Sequence, residues 1–315
     1  MTQVLFAHRD SDYFAPLFKK RFKGLHIICV KELPAAESEL AHANIIIAVD
    51  HHFNAYRLGL AKQLQWVQTM TTGTDAIEKS KALKPEVILT TTRGIHAPQM
   101  SEMAFTFMLH LARDFTRLQE NQKRHRWERW DMMRLFGKTI SIVGIGLTAE
   151  ALAPRCKAFG MRVIGVSQAD RSLPGFDEIK KYHDIKSAVA EADFTVVLAP
   201  YRESTHHLIN AEVLKAMKPS AFLINLARGR LCDEQALIQA LRDRQIAGAG
   251  LDVFTQEPLP TDSPLWDLDT VLISPHCSGG SDDNLRITWP ILEHNMQCFL
   301  EKRPQEMKNI VRHQT

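Results

Sequence analysis

The sequence predicts an α/β protein of two domains, each built on a mainly parallel sheet. Three observations carry this. Two series of short β-branched runs alternate with segments that can be helical, as parallel sheets covered on both faces require. A long apolar-periodic segment without glycine or proline, 100–125, separates the two series. The second series opens on a strand, a glycine-rich turn and a helix-compatible stretch.

The first series consists of VLFA (4–7), HIICV (26–30), NIIIAV (44–49), LQWVQTM (64–70) and VILTT (87–91), with PAAESELAHA (34–43) among the helical candidates between them. About five strands in an open sheet follow. In the 100–125 segment, apolar residues recur every three or four positions and Ser101 with Glu102 suits a helix start, so one continuous helix is expected to link the domains. Phe105, Met108 and Leu109 are expected to pack within it. The second series is TISIV (139–143), RVIGV (162–166), FTVVLA (194–199), AFLINL (221–226), IAGAGL (246–251) and TVLIS (270–274). Six strands is the number in a complete dinucleotide-binding sheet. A last helix is expected over 284–300, followed by the tail KNIVRH.

Composition narrows the function classes. The chain has 315 residues, 45% hydrophobic and 24% charged, with a formal net charge of +3, an ordinary soluble balance without a nucleic-acid signature. The one basic cluster, KRHRWER at 123–129, reads as a solvated loop or helix end, with a phosphate, substrate or subunit contact as alternatives. No uninterrupted apolar run of 18 residues exists, and MTQVLFAHRD lacks the pattern of a signal peptide. Five cysteines, at 29, 156, 232, 277 and 298, form no C-x-x-C pair and favour free thiols in a reducing, cytoplasmic setting.

The strongest local signal is TISIVGIGLTAEALAPRCKAFGMRVIGV, 139–166. Gly144 permits the tight turn, Gly146 lets the main chain approach a pyrophosphate, and Ala149 in the third position is small enough for helix–strand packing. The second strand runs into VSQADR, where position 167 is serine rather than the acid that usually binds the NAD ribose. Ser167 and Arg171 suit a 2′-phosphate, which favours NADP(H). Against this, Asp170 reaching the ribose, with Arg171 merely solvated, keeps NAD(H) as the alternative.

Charged residues close three successive strands. Arg228 follows the fourth, Asp252 the fifth with Glu257 in the loop beyond, and His276 the sixth. Open α/β sheets bind ligands beyond the carboxyl ends of their strands. An arginine there can clamp a carboxylate or polarise a carbonyl, a histidine can exchange a proton, and a glutamate can orient the ring and favour its protonated form. Singly, each also reads as a solvated loop charge or a packing histidine; the joint placement favours chemistry.

NLARG (225–229), LDVFTQEPLP (251–260) and SPHCSGG (274–280), together with the GIG turn, resemble the D-isomer-specific 2-hydroxyacid dehydrogenases over nearly the whole chain. The resemblance implies that Arg228 holds the substrate's carboxylate and carbonyl, that Glu257 pairs with the catalytic histidine, and that His276 is the proton donor and acceptor. It identifies MTTGTDAI (70–77) as the substrate loop, with Thr71, Thr72 and Gly73 binding the carboxylate through main-chain N–H groups. Thr72 and Thr74 are bulkier than the usual residues there, which leaves substrate size open. Ile145, Leu147, Thr148, Ala199, Pro200, Ala227 and Asp252 join Gly144, Gly146, Ser167 and Arg171 as expected cofactor contacts. The implied fold is a Rossmann-type dinucleotide-binding domain over 101–289 and a smaller flavodoxin-like substrate domain over 1–100 and 290–315. Such proteins commonly form homodimers through the nucleotide domain.

TTRGIHAPQMSE (91–102) and the missing ribose carboxylate look like the branch that contains glyoxylate and hydroxypyruvate reductases. The expected reaction is reversible hydride transfer between a nicotinamide cofactor and a 2-oxo acid, reducing small 2-oxo acids with NADPH. The alternatives are an NAD-dependent dehydrogenase of a bulkier or phosphorylated D-2-hydroxy acid, and a dinucleotide-sensing regulatory protein on the same scaffold. The pairs His51–His52 and His206–His207 lack a ligand cluster in sequence, so no metal is expected. Cys277 reads as lining the site without a catalytic role, Trp289 as a substrate contact or an anchor, and Trp266 as a packing residue.

Overall fold

The computed structural model describes residues 2–169 and 172–312. The chain divides into two compact units, Met1–Ile95 with Ser281–Thr315, and His96–Gly280. Thirteen strands are present among the described residues: β1 (Gln3–Ala7), β2 (His26–Val30), β3 (Ile45–Ala48), β4 (Trp66–Thr69), β5 (Ile88–Thr90), β6 (Thr139–Val143), β7 (Arg162–Val166), β8 (Glu178–Lys180), β9 (Phe194–Val197), β10 (Phe222–Asn225), β11 (Gly248–Leu251), β12 (Val271–Ile273) and β13 (Ile310–Arg312). The helices are α1 (Ser11–Arg21), α2 (Ala55–Leu60), α3 (Asp75–Ser80), α4 (Ala97–Arg113), α5 (Phe115–Lys123), α6 (Leu147–Ala158), α7 (Ile185–Glu191), α8 (Ala211–Ala216), α9 (Glu234–Arg242) and α10 (Asn284–Leu300).

The first unit holds a sheet in the order β2-β1-β3-β4-β5-β13, parallel throughout except for β13, which runs antiparallel to β5. Side chains alternate between its faces as a pleated strand requires. Val4, Phe6, Ile45, Ile47, Trp66 and Ile88 pack on one side with Phe14 and Phe18 of α1 and Leu292 and Met296 of α10. Leu5, Ala7, Ile46, Val67 and Leu89 pack on the other with Leu40, Leu58 and Ile77. Trp289 of α10 meets Phe18 edge-on at 5.0 Å, so it serves in this core. Asn295 of α10 donates to Gln68 Oε1 and exchanges two hydrogen bonds with the main chain of Lys308, which fastens the tail that forms β13.

The second unit is a seven-stranded parallel sheet, β8-β7-β6-β9-β10-β11-β12. Read from β6, strands are added first on one side and then on the other, as in a dinucleotide-binding sheet. Ile140, Ile142, Val163, Phe194, Val196 and Ile224 face Phe107 and Met108 of α4 and Leu152 of α6. Val143, Ile164, Val166, Val197, Leu223 and Leu251 face α7, α8 and α9.

Several elements differ from expectation. The segment at 100–125 is two helices, because Asp114 adopts φ +51° and its carboxylate accepts from Arg117 N to start α5. Aspartate tolerates this left-handed conformation better than most residues. The 34–43 segment forms 3₁₀ turns interrupted at Ala36. β8 and β13, three residues each, are strands beyond those expected. Both divisions between units fall earlier in the chain than expected: α4 lies wholly in the second unit and α10 wholly in the first. The basic stretch is the end of α5 and an exposed loop, in which Arg117 and Asn121 hold Glu128 and Trp127 is 90% exposed. Trp266, expected to pack, is half-exposed and donates to Pro260 O. All five cysteines are free. Among the described residues no helix is long and apolar enough to cross a membrane.

Candidate active site

The glycine-rich turn joins β6 to α6. Gly144 sits at φ +96°, and a Cβ there would lie 2.3 Å from the Ala199 backbone, so only glycine permits the turn after β6 to nest under the 198–200 loop. Gly146 begins α6, and a Cβ on it would meet nothing within 4 Å. Its lack of a side chain therefore answers to something outside the packed protein. No side chain caps α6, and among the described residues the N–H groups of Gly146, Leu147 and Thr148 donate to no protein acceptor. Such a helix start attracts an anion. Ala149, in the third position of the motif, is fully buried under this turn. The turn thus fits a dinucleotide's pyrophosphate. Ser167 follows β7, is buried, and its hydroxyl accepts from Ala169 N at 3.3 Å, which leaves its O–H as a donor. Arg171, and with it Asp170, lies outside the described residues.

Arg228, Glu257 and His276 come together beyond β10, β11 and β12. His276 Nδ1 lies 2.7 Å from Glu257 Oε2, and Glu257 Oε1 accepts from Phe254 N at 3.0 Å. A carboxylate there makes Nδ1–H the donor and leaves Nε2 for proton exchange. The bond to Glu257 pushes the His276 pKa above its ordinary value; burial opposes this, the Glu257 charge adds to it and Arg228 opposes it. Burial alone would raise the Glu257 carboxyl, but the hydrogen bonds from His276 and Phe254, with the charges of His276 and Arg228, hold it below its usual value. Both directions favour a charged pair. The pair is only partly buried, with side chains 47% and 35% exposed, so Nε2 is open to a ligand.

Three further residues hold this arrangement. Asp252, 1% exposed and expected among the cofactor contacts, directs both oxygens to the histidine loop: it accepts from Ser274 Oγ at 2.5 Å, Cys277 N at 2.9 Å and Ser278 N at 3.1 Å. Its carbonyl accepts from His276 N at 2.8 Å. These bonds keep His276 at φ +51°, a conformation that costs a non-glycine residue about 1–3 kcal/mol. Asn225, also 1% exposed, donates to Arg228 O and accepts from Ala227 N, shaping the turn that presents the arginine. The Arg228 guanidinium donates back to Ala227 O at 2.7 Å. A Cβ on Gly229 would lie 1.9 Å from Phe254 C, so this glycine sets how closely the Arg228 and Glu257 loops approach. The sequence reading assigned no role to Asn225 or Gly229, although both belong to the NLARG run.

In the first unit, the 71–73 loop follows β4. Thr69 Oγ1 donates to Thr71 O, and Thr71 Oγ1 to Gly73 O. The carbonyls are thereby occupied, whereas among the described residues the N–H groups of Thr71, Thr72 and Gly73 have no acceptor. Successive unpaired N–H groups suit a carboxylate. Cys277 is exposed, and burial of its sulfur with the nearby Asp252 charge raises its thiol pKa, so it is no activated nucleophile. Among the described residues no three His, Cys, Asp or Glu side chains are grouped to hold a metal.

Comparison with known proteins agrees with this chemistry. A family model for the D-isomer specific 2-hydroxyacid dehydrogenase NAD-binding domain matches residues 105–278. A glyoxylate reductase of Pyrococcus horikoshii is 36% identical over 230 residues, covering 70% of this chain and 69% of that protein. One of Korarchaeum cryptofilum is 32% identical over 257 residues, covering 80% and 77%. Among solved structures, a D-isomer specific 2-hydroxyacid dehydrogenase family protein of Aeromonas salmonicida has a TM-score of 0.90 at 32% identity, covering 98% of each chain. One of Xanthobacter autotrophicus, in complex with NADPH and MES, has a TM-score of 0.85 at 26% identity, covering 98% of this chain and 97% of that one. The chain belongs to the D-isomer-specific 2-hydroxyacid dehydrogenases, NAD(P)-dependent enzymes that interconvert 2-oxo acids and D-2-hydroxy acids.

Proposed function

We propose that the chain reduces small 2-oxo acids, glyoxylate and hydroxypyruvate foremost, with NADPH. The observation that carries this reading is the 2.7 Å contact between His276 and Glu257 with the charge of Arg228 beside it. Arg228 holds the substrate's carboxylate and its carbonyl oxygen, where negative charge grows as the carbonyl is reduced. His276, kept protonated by Glu257, delivers a proton from Nε2 to that oxygen. In oxidation the same nitrogen accepts it. Bound at the glycine turn, the nicotinamide cofactor supplies the hydride equivalent. Gly144, Ile145, Gly146, Leu147 and Thr148 hold its pyrophosphate, with Ala199, Pro200 and Ala227 along the neighbouring strand ends. Thr71, Thr72 and Gly73 bind the substrate carboxylate through their N–H groups.

The names of the archaeal relatives support glyoxylate as the first substrate to assay. The serine at 167 and the arginine at 171 support NADPH. The 2-1-3-4-5 order of β1 to β5 supports a flavodoxin-like substrate domain. Exposed Phe115, Trp127, Phe136 and Phe159 support homodimerisation through the second unit, and free thiols support a cytoplasmic setting. The test is kcat/KM for glyoxylate and hydroxypyruvate with NADPH and with NADH, in the parent and in Arg171→Ala. NADPH should be preferred, and the substitution should raise the NADPH KM more than the NADH KM. Preference for NADH would return Asp170 to the ribose; no turnover of any 2-oxo acid with either cofactor would favour a sensing role.

A further inference from the structure

The loop that carries His276 is held at two places. Just after the histidine, Asp252 accepts from Cys277 N and Ser278 N. Further on, the Gly279 carbonyl accepts from two side chains at the start of α4, His96 Nδ1 at 2.9 Å and Gln99 Nε2 at 3.1 Å. His96 stands 183 positions from Gly279 in the chain and caps α4, whose first turn contains Gln99. Three positions apart at a helix start, two side chains can reach one acceptor. The His96 ring also lies against the glycine, where a Cβ would stand 3.4 Å from Nδ1 and 3.6 Å from Cγ. All of these residues belong to the second unit, which the chain enters at His96 and leaves at Gly280.

The Gly279 bond sets the tautomer of His96. A carbonyl oxygen only accepts, so Nδ1 carries the hydrogen. Gln99 Nε2 is 3.4 Å from the same nitrogen because both donors converge on one oxygen. An unprotonated Nδ1 would instead set two lone pairs against each other at 2.9 Å. Burial lowers the His96 pKa while the Gly279 bond opposes it, in keeping with a neutral ring. The helix behind these donors is well seated. Phe107 and Met108 of α4 are buried in the core, and a Cβ on Gly250 of β11 would lie 2.7 Å from the Phe107 ring. α4 therefore rests directly on the strand that leads into Asp252, and both anchors of the loop belong to one frame.

We propose that His96 and Gln99 are positioning residues for His276, fixing the far part of its loop so that Nδ1 stays on Glu257 and Nε2 stays aimed at the substrate oxygen. This rests on the reading of His276 as the proton donor. A left-handed histidine persists only where its surroundings over-determine it. Released at Gly279, the loop keeps Asp252 alone, and the 2.7 Å contact with Glu257 loosens. The charges acting on His276 are those of Glu257, Arg228 and Asp252. All three remain in the variants below, so a moved pH profile reports geometry.

The test measures kcat, the NADPH KM and the pH dependence of kcat/KM with glyoxylate. His96→Ala and Gln99→Leu should each lower kcat about tenfold, and the double variant about 100-fold, with the NADPH KM changed by less than about threefold. The fall of kcat/KM with rising pH should move to lower pH, because a looser Glu257 contact raises the His276 pKa less. His96→Asn places an amide nitrogen where Nδ1 stood and should stay within about threefold of the parent in kcat. Should His96→Ala fail to fold, Gln99→Leu carries the same test from the helix side. Parent values of kcat in both folded single variants overturn the positioning role. So does a loss of rate with an unmoved pH profile, or a loss in His96→Asn as large as in His96→Ala. Near-normal turnover in His276→Ala overturns the proton-donor reading, and the positioning role falls with it.

Discussion

Replacing Gly229 with alanine tests whether the Arg228 and Glu257 loops must touch for the enzyme to work. The added Cβ would stand 1.9 Å from Phe254 C, 2.1 Å from Phe254 O and 2.4 Å from Thr255 N. All three are backbone atoms, so no side-chain rotation relieves the overlap. Ordinary contact begins at 3.4 Å, so the two loops must part by about 1.5 Å. Phe254 N is the group that holds Glu257 Oε1, and Gly229 directly follows Arg228, so the displacement reaches both partners of His276. A misplacement of about 1 Å costs on the order of 100-fold in rate. We expect kcat/KM for glyoxylate with NADPH to fall at least 100-fold, by order of magnitude. Overpacking of this kind costs about 1–3 kcal/mol in stability, which most domains survive folded. Steady-state kinetics alongside urea unfolding separates the two effects. A folded variant with kcat/KM within about threefold of the parent would refute the claim that loop apposition positions the reaction centre.

The remaining predictions concern the three side chains proposed as catalytic. His276→Ala should lower turnover by about 100-fold or more with little change in cofactor affinity; near-normal turnover across the working pH range would exclude His276 as the proton donor. In the proposed reduction His276 starts protonated, so kcat/KM should fall as pH rises through its raised pKa. Glu257→Gln removes the group that raises that pKa, so the fall should move to lower pH, and an unmoved pH profile would dissociate Glu257 from the histidine. Arg228→Lys keeps the charge but not the planar two-pronged grip, so kcat/KM should drop by well over about threefold; a smaller loss would mean that a point charge suffices.

The parallel frame was legible because burial on both faces demands continuous β-branched runs. β2, β6 and β7 match their expected runs residue for residue, as does the terminal helix α10. The misses have physical causes. β8 and β13 join sheet edges, and edge strands need no apolar run; Glu178–Lys180 is only partly buried. The break at Asp114 is a change of φ at one residue, which apolar periodicity does not mark. The 33–42 segment has helical composition but adopts 3₁₀ turns, a local outcome that composition does not determine.

The site was legible in part for a different reason: reacting groups have chemistry that spacing makes visible, whereas the groups that hold them act through contacts far apart in the chain. Arg228, Glu257 and His276 follow three successive sheet strands, and ligands bind beyond such ends. Asp252 stands at the same kind of position and reads as one more ligand contact. Its actual partners, 22 to 26 residues onward, are apparent only once β11 and β12 lie side by side. Gly229 shows the same limit more sharply. Its φ is not left-handed, so no turn rule marks it; the reason for glycine is the backbone of Phe254, brought close by the β10–β11 pairing. A histidine at φ +51° must be held there by its surroundings, and here Asp252 holds it from one side and Glu257 from the other. The placement of His276 therefore depends on a buried carboxylate far from it in sequence.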